Sequence, residues 1–133
     1  MGSMNESILV GVRVANNVDE NDDSFDQQLI PLINGQLMMA HEFGIGYNGF
    51  KIGGSEETWE DWLGANNADK LAAAETWLGL KVKLLFDPPD NGSVLQAIQG
   101  QIDKFEWLLY SKSWREDIVK DYVPGYRNAC EDE

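Results

Sequence analysis

Residues 80–89, LKVKLLFDPP, carry an amphipathic helix to an abrupt end and turn the chain back on itself. Pro88 disfavours the α conformation for Asp87, and neither Pro88 nor Pro89 has an N–H that could continue a helical hydrogen-bond ladder. The first helix should therefore end near Phe86, and the two prolines should form a short, stiff turn.

A second helix is predicted directly after this turn. Ser93 and Gln96 have the spacing of a capping box, in which the hydroxyl accepts a backbone N–H and the amide reaches back. The helices before and after the turn span about residues 68–86 and 94–110, and each has an apolar stripe at helical spacing. The stripes consist of Leu71, Ala74, Leu78, Val82 and Leu85 in the first and Leu95, Ile98, Ile102, Phe105 and Leu109 in the second. We expect the two stripes to pack together as an antiparallel hairpin.

Two more helices are predicted in the first half of the chain. One spans about residues 6–15. The other begins at a capping box formed by Ser24 and Gln27 and runs to about Phe43, and Pro31 should kink it rather than end it, because the apolar periodicity continues through it. The inward-facing residues are Ile8, Leu9, Val12 and Val14 in one, and Phe25, Leu29, Leu32, Ile33, Gln36, Ala40 and Phe43 in the other.

Residues 44–55 are rich in glycine and predict a loop. A third capping signature, Thr58 with Asp61, opens a short helical turn that places Trp59 and Trp62 on one face. For Trp77 and Trp107, on the helices of the hairpin, core packing is expected. Gly35, Gly79 and Gly100 lie inside predicted helices, so each marks either a close helix crossing or a tolerated glycine on an exposed face.

These elements predict an all-α protein: a small helical bundle with a central antiparallel helical hairpin, a long loop between the second and third helices, and an extended C-terminal segment. A length of 133 residues with 43% hydrophobic residues suits one domain with a modest core. Residues 1–4 are expected to be a tag remnant and the start, residues 5–110 the helical domain, and residues 111–133 a segment that docks on a partner.

The net charge of −13 argues against binding to nucleic acid phosphates, which rests on clustered lysine and arginine. Residues 1–69 contain 12 of the 23 acidic residues but only two of the ten basic ones. A single cysteine, Cys130, cannot form an intramolecular disulfide, which favours a reducing compartment. The chain has no apolar run of about 18 residues and no signal-peptide pattern, so neither a membrane span nor secretion is predicted.

Three motifs resemble ligand sites but lack an essential part. Residues 44–49 fit G-x-G-x-x-G, yet they follow a helix rather than a strand, so a helix end and loop are expected instead of a dinucleotide site. Residues 19–30 begin like a calcium loop, but Ile30 replaces the bidentate carboxylate. His41, the only histidine, lacks the second histidine of a zinc helix. The sequence predicts no catalytic residue, no metal and no cofactor, and hence no enzyme.

Five blocks together resemble a known family. They are NESIL (residues 5–9), DDSFDQQLIPLIN (22–34), GIGYNGFKI (44–52), TWEDWLG (58–64), and LKVKLLFDPP (80–89) leading to IDKFEWLL (102–109). Their order and spacing resemble the head-tail connector, or adaptor, proteins of long-tailed bacteriophages, and the resemblance covers residues 5 to about 110.

The resemblance implies a homo-oligomeric ring, expected to be dodecameric, below the portal of a DNA-filled capsid. The ring would extend the DNA channel in the virion neck, after assembly in the host bacterial cytoplasm. The implied partners are the portal protein and a head-tail stopper or tail-completion protein, with DNA passing without specific binding. The implied portal interface is Trp114, Ile118, Tyr122 and Tyr126, and the implied subunit interface is Tyr47, Phe50, Trp59 and Trp62.

A conduit for DNA should repel phosphates, and an acidic wall does so. We therefore hypothesise that an acidic block faces the channel or its rim: Asp19, Glu20, Asp22, Asp23 and Asp26. An alternative from another class is an acidic DNA mimic that inhibits a nuclease or a DNA-binding protein. A mimic needs carboxylates along a continuous face, and the near balance of charge over residues 70–110, with five acids and four bases, weakens that alternative.

Overall fold

The structure of the protein is a computed structural model that describes residues 4–42 and 44–109, apart from the side chain of Asn66. The described chain forms five helices: α1 (Ile8–Ala15), α2 (Asp26–Glu42), α3 (Trp59–Leu63), α4 (Leu71–Phe86) and α5 (Gly92–Leu109). A 3₁₀ segment, Ala65–Lys70, leads into α4. Over these residues no strand forms, and one isolated bridge pairs Ser7 with Thr58. The all-α prediction is confirmed.

The helical hairpin forms as predicted, but a different residue caps its second helix. α4 ends at Phe86, before the two prolines. Asn91 Oδ1 accepts the backbone N–H groups of Ser93 at 2.7 Å and Val94 at 3.2 Å, and α5 begins at Gly92. The predicted Ser93–Gln96 capping box is wrong, because the asparagine two residues earlier already accepts the free N–H groups of the first turn.

The start of α2 also differs from the prediction. The Ser24 hydroxyl donates to Asp22 Oδ1 at 2.6 Å, and α2 begins only at Asp26, so Ser24 and Gln27 do not form the predicted capping box. The helix then continues through Pro31 to Glu42, as the unbroken periodicity predicts. Proline is tolerated there because it removes only one backbone hydrogen bond while the neighbouring turns are held by packing.

The core lies where α4 packs against α1, α2 and α5. The predicted inward residues of α1 are buried except Val14, which is 56% exposed, and Trp77 of α4 is fully buried as predicted. The predictions are wrong for Phe25, Leu85, Leu95 and Trp107, which are 37%, 57%, 41% and 66% exposed. Phe43, also predicted to face inward, lies outside the described residues. The two deviations on α5, Leu95 and Trp107, have a common cause. α5 packs mainly against α4 alone, so only a narrow line of its surface is covered, including Ile102 and Leu109.

Of the three glycines singled out in the sequence, Gly79 marks a close crossing. A Cβ on Gly79 would lie 2.9 Å from the Cβ of Ala15, so the absence of a side chain lets α4 approach α1. At Gly35 and Gly100 no heavy atom lies within 4 Å of such a Cβ. Both glycines therefore agree with the second alternative, a glycine that is tolerated where no neighbour is close.

Candidate functional site

The acidic block lies in the connection between α1 and α2, and Arg13 holds it in place. Arg13 is only 6% exposed, and its guanidinium makes a bidentate pair with Asp26, with Nε–Oδ1 at 3.1 Å and Nη2–Oδ2 at 2.7 Å. Arg13 Nη1 also donates to the backbone carbonyl of Glu20 at 2.6 Å. The Asp26 carboxylate is half-buried, and Arg13 neutralises its charge. Asp26 therefore differs from the carboxylates of the block that face solvent.

The other four members of the block stay at the surface. Asp19, Glu20 and Asp23 are exposed, and Asp22 is half-buried. Asp22 accepts the Ser24 hydroxyl and, at 3.0 Å, the Ser24 N–H, and these two hydrogen bonds lower the pKa of its carboxyl. The block therefore presents a compact group of carboxylates on one loop.

The α3 segment is held by the capping box that the sequence predicts. Thr58 Oγ1 accepts the Asp61 N–H at 3.1 Å, and Asp61 Oδ2 accepts the Thr58 N–H at 3.0 Å. This turn aims Trp59 and Trp62 inward, with their ring centroids 6.0 Å apart. The prediction that both tryptophans share a face is borne out, and that face is internal.

The two tryptophans are core residues, which corrects their predicted place at a subunit interface. They are 2% and 1% exposed and therefore offer almost no surface to a second chain in this fold. Trp59 packs on Gly11 of α1, where an added Cβ would lie 3.0 Å from the ring. Trp62 packs on Gly46, where an added Cβ would overlap the indole. The two glycines make the space, and they lie 48 and 16 residues before the tryptophans that they contact, so no local pattern around α3 indicates it.

Tyr47 and Phe50, the other two predicted interface residues, are 60% exposed and half-buried, respectively. The loop that carries them is fastened to α2 because Asn34 exchanges two hydrogen bonds with the backbone of Ile52, at 3.0 and 2.8 Å. Two methionines of α2, Met38 and Met39, are also exposed, at 73% and 45%. They were not predicted as surface anchors. In the sequence, both methionines lie outside the predicted apolar stripe of α2, and this position indicates that they face solvent.

The glycine motif forms the end of α2 and a loop, as predicted. Gly44, Gly46 and Gly49 all have positive φ angles, between 77° and 82°. The N–H of Gly44 donates to the carbonyl of His41, and the N–H of Ile45 donates to that of Ala40, which closes the last turn of the helix. Within residues 4–42 and 44–109 no three metal-ligating side chains come together.

A groove of about 590 Å³ runs between α1 and α4, with Trp59 at one side. Three glutamates line it with apolar residues, and the set includes Glu6, Val10, Val14, Glu20, Glu75 and Leu80. Glu75 Oε1 is buried without a hydrogen-bond partner among the described residues, and burial, together with the nearby charge of Glu6, raises the pKa of the Glu75 carboxyl. The sequence offered no prediction of this groove, because it depends on how closely α1 and α4 cross.

The residues predicted to contact the portal, Trp114, Ile118, Tyr122 and Tyr126, lie outside the described residues. Among the helices α1 to α5, none is both long and apolar enough to cross a membrane.

A comparison with protein-family models matches residues 8–116 to a family described as phage connector protein. The matched range contains all five helices, the acidic block and every residue that lines the groove except Glu6, and it covers most of the chain. No curated protein and no solved structure gives a significant match.

Proposed function

We propose that this chain, which belongs to the phage connector protein family, forms a ring below the portal, extends the DNA channel and joins the capsid to the tail. The family is one of structural proteins, and membership implies association with portal and tail proteins in the neck of the virion. The observation that carries the proposal is the match over residues 8–116, which includes every helix of the bundle.

The charge distribution supports a role as a DNA conduit. The exposed carboxylates of Asp19, Glu20 and Asp23 stand on a loop that Arg13 fastens to the bundle, so they form a fixed rather than a diffuse acidic surface. A fixed surface of one sign repels phosphates within about one Debye length, roughly 8 Å at physiological ionic strength. In the proposed ring this loop faces the channel or its rim, and DNA passes without binding.

The proposed contacts with other components use two regions. Tyr47 and Phe50 contribute to the subunit interface, because they keep apolar surface open to solvent while the neighbouring tryptophans do not. Beyond residue 118, the C-terminal segment reaches the portal protein through Tyr122 and Tyr126. A head-tail stopper or tail-completion protein binds the opposite end of the ring, which is dodecameric and assembles in the host bacterial cytoplasm.

Native mass spectrometry across a concentration series tests this proposal, alone and with the portal protein of the same phage. The expected result is a discrete oligomer that forms alone or when the portal is added. A chain that stays monomeric with the portal present would contradict it. If that monomer also competes with DNA for a nuclease, the function is that of the acidic DNA mimic.

A further inference from the structure

The groove between α1 and α4 is an apolar surface with an acidic rim. Val14, on its α1 side, is 56% exposed even though it belongs to a helix whose opposite face is fully buried. Glu6, Glu20 and Glu75 line the same groove, and no lysine or arginine does. Such a surface fits an apolar side chain that is flanked by positive charges.

Glu75 shows most clearly what the groove lacks. Its buried Oε1 accepts no hydrogen bond from any described residue, and a buried acceptor without a donor is unfavourable. A lysine or arginine brought into the groove would supply a compensating charge to the Glu75 carboxylate. The occupant of the groove should therefore combine a large apolar residue with a cation close to it in sequence.

We infer that the groove receives residues 111–118 of a second copy of this chain. This segment, SKSWREDI, places Lys112 and Arg115 on either side of Trp114 and adds Ile118 four residues further on. It begins two residues after the end of α5 at Leu109. The inference rests on the proposed ring, because it names the contact by which one subunit holds the next.

The geometry of α4 favours a second copy over the same chain. Trp77 and Lys81 face α5, since both approach Glu106, at 3.0 and 3.5 Å. Glu75 and Gly79 face the groove, and positions two apart on a helix point about 200° apart. Helix α5 therefore lies on the side of α4 that is opposite the groove.

Donor and acceptor surfaces on opposite sides of one subunit make a head-to-tail contact, which closes into a ring when the rotation between subunits allows it. Trp114 lies five residues beyond Leu109, a span of at most about 18 Å. The groove of the neighbouring subunit must therefore face the end of α5. A segment that returned to its own groove would have to pass around α4 within that span.

Photo-crosslinking of the full-length protein tests the contact directly. Trp114 is replaced with a photoreactive phenylalanine analogue, and isotope-labelled and unlabelled chains are mixed before illumination, with and without the portal protein. Mass spectrometry should find residue 114 of one isotope joined to peptides of α1 or α4 of the other. Crosslinks within single chains, to other surfaces or to the portal alone would overturn the inference, and so would their absence in every sample.

Charge reversal provides an independent test by the concentration dependence of sedimentation. Reversing the groove (Glu20→Lys with Glu75→Lys) or the segment (Lys112→Glu with Arg115→Glu) should each weaken self-association roughly tenfold, and combining all four changes should restore most of it. Glu42→Lys with Glu56→Lys, two exposed positions outside the groove, gives the same change in net charge as the groove variant and serves as its control. Far-UV circular dichroism checks that each variant folds.

If the variant with all four changes self-associates more weakly by the product of the two separate effects, the groove and the segment are not in direct contact. Rings that assemble on the portal while residue 114 crosslinks elsewhere would overturn this inference and leave the proposed function standing. Crosslinks between chains in the groove, in a protein that never binds the portal, would support this inference and contradict the proposed function.

Discussion

The α3 segment and helix α5 both carry tryptophan, and the fold treats them in opposite ways. Trp59 and Trp62 are 2% and 1% exposed, whereas Trp107 is 66% exposed. Glycines of α1 and of the loop leave room for the first two, while α5 packs mainly against α4 alone. The burial of an aromatic residue in this protein thus depends more on how many neighbouring elements cover it than on its position in an apolar helical stripe.

Replacing one tryptophan from each region should have the most unequal effect. Trp62→Ala removes a fully enclosed ring and should lower the free energy of unfolding by about 3–5 kcal/mol. Trp107→Ala, from the exposed face of α5, should change it by less than about 0.5 kcal/mol. Urea denaturation followed by far-UV circular dichroism measures both. Equal losses would mean that the two regions are not packed as described.

The glycine loop offers a matched pair that isolates the contact with Trp62. Gly46 and Gly49 have similar positive φ angles, 82° and 77°, but only at Gly46 would an added Cβ meet the indole. Gly49→Ala should therefore cost about 1 kcal/mol of backbone strain, and Gly46→Ala about 3 kcal/mol because the ring must also move. Thermal unfolding compares the two variants. If their midpoints coincide, the glycine does not make the space for Trp62.

On the α5 side of the comparison, Glu106 makes polar contacts with two residues of α4, Trp77 and Lys81. Trp77 Nε1 donates to Glu106 Oε2 at 3.0 Å. Glu106→Leu should cost about 1–2 kcal/mol, because the indole N–H of a buried tryptophan loses its acceptor. Glu106→Gln keeps an acceptor and serves as the control. A loss of the same size in the glutamine variant would point to the charge, through Lys81, rather than to the hydrogen bond.

The smallest effect is expected at the start of α5. Asn91→Ala removes the acceptor for two N–H groups and should cost about 1 kcal/mol, whereas Ser93→Ala should be nearly neutral. Chemical denaturation of the two variants side by side measures the difference. A larger loss of unfolding free energy for Ser93→Ala than for Asn91→Ala would mean that Ser93 caps α5.

Local chemistry determined what could be predicted from the sequence. Pro88 ends α4 and Thr58 with Asp61 caps α3, because both act within four residues of the chain. The predicted cap at Ser93 failed for a local reason as well, since Asn91 competes for the same N–H groups and a pattern search does not rank the two. The boundaries of the helices were therefore predictable to within a few residues, and their caps less so.

Contacts between distant residues account for the parts of the site that were not predicted. The acidic composition of residues 19–26 is plain in the sequence, but the pairing of Asp26 with Arg13 depends on how α1 and α2 meet. The groove beside Glu75 likewise exists because Gly79 lets α4 approach Ala15. Such features follow from the packing of helices, which the periodicity of each helix alone does not specify.

Electron microscopy of this protein mixed with the portal protein of the same phage tests the connector role most directly. We predict a closed ring, coaxial with the portal, with the loop of residues 19–23 lining the channel or its rim. Images in which the portal stays bare while this protein remains monomeric would contradict the connector role.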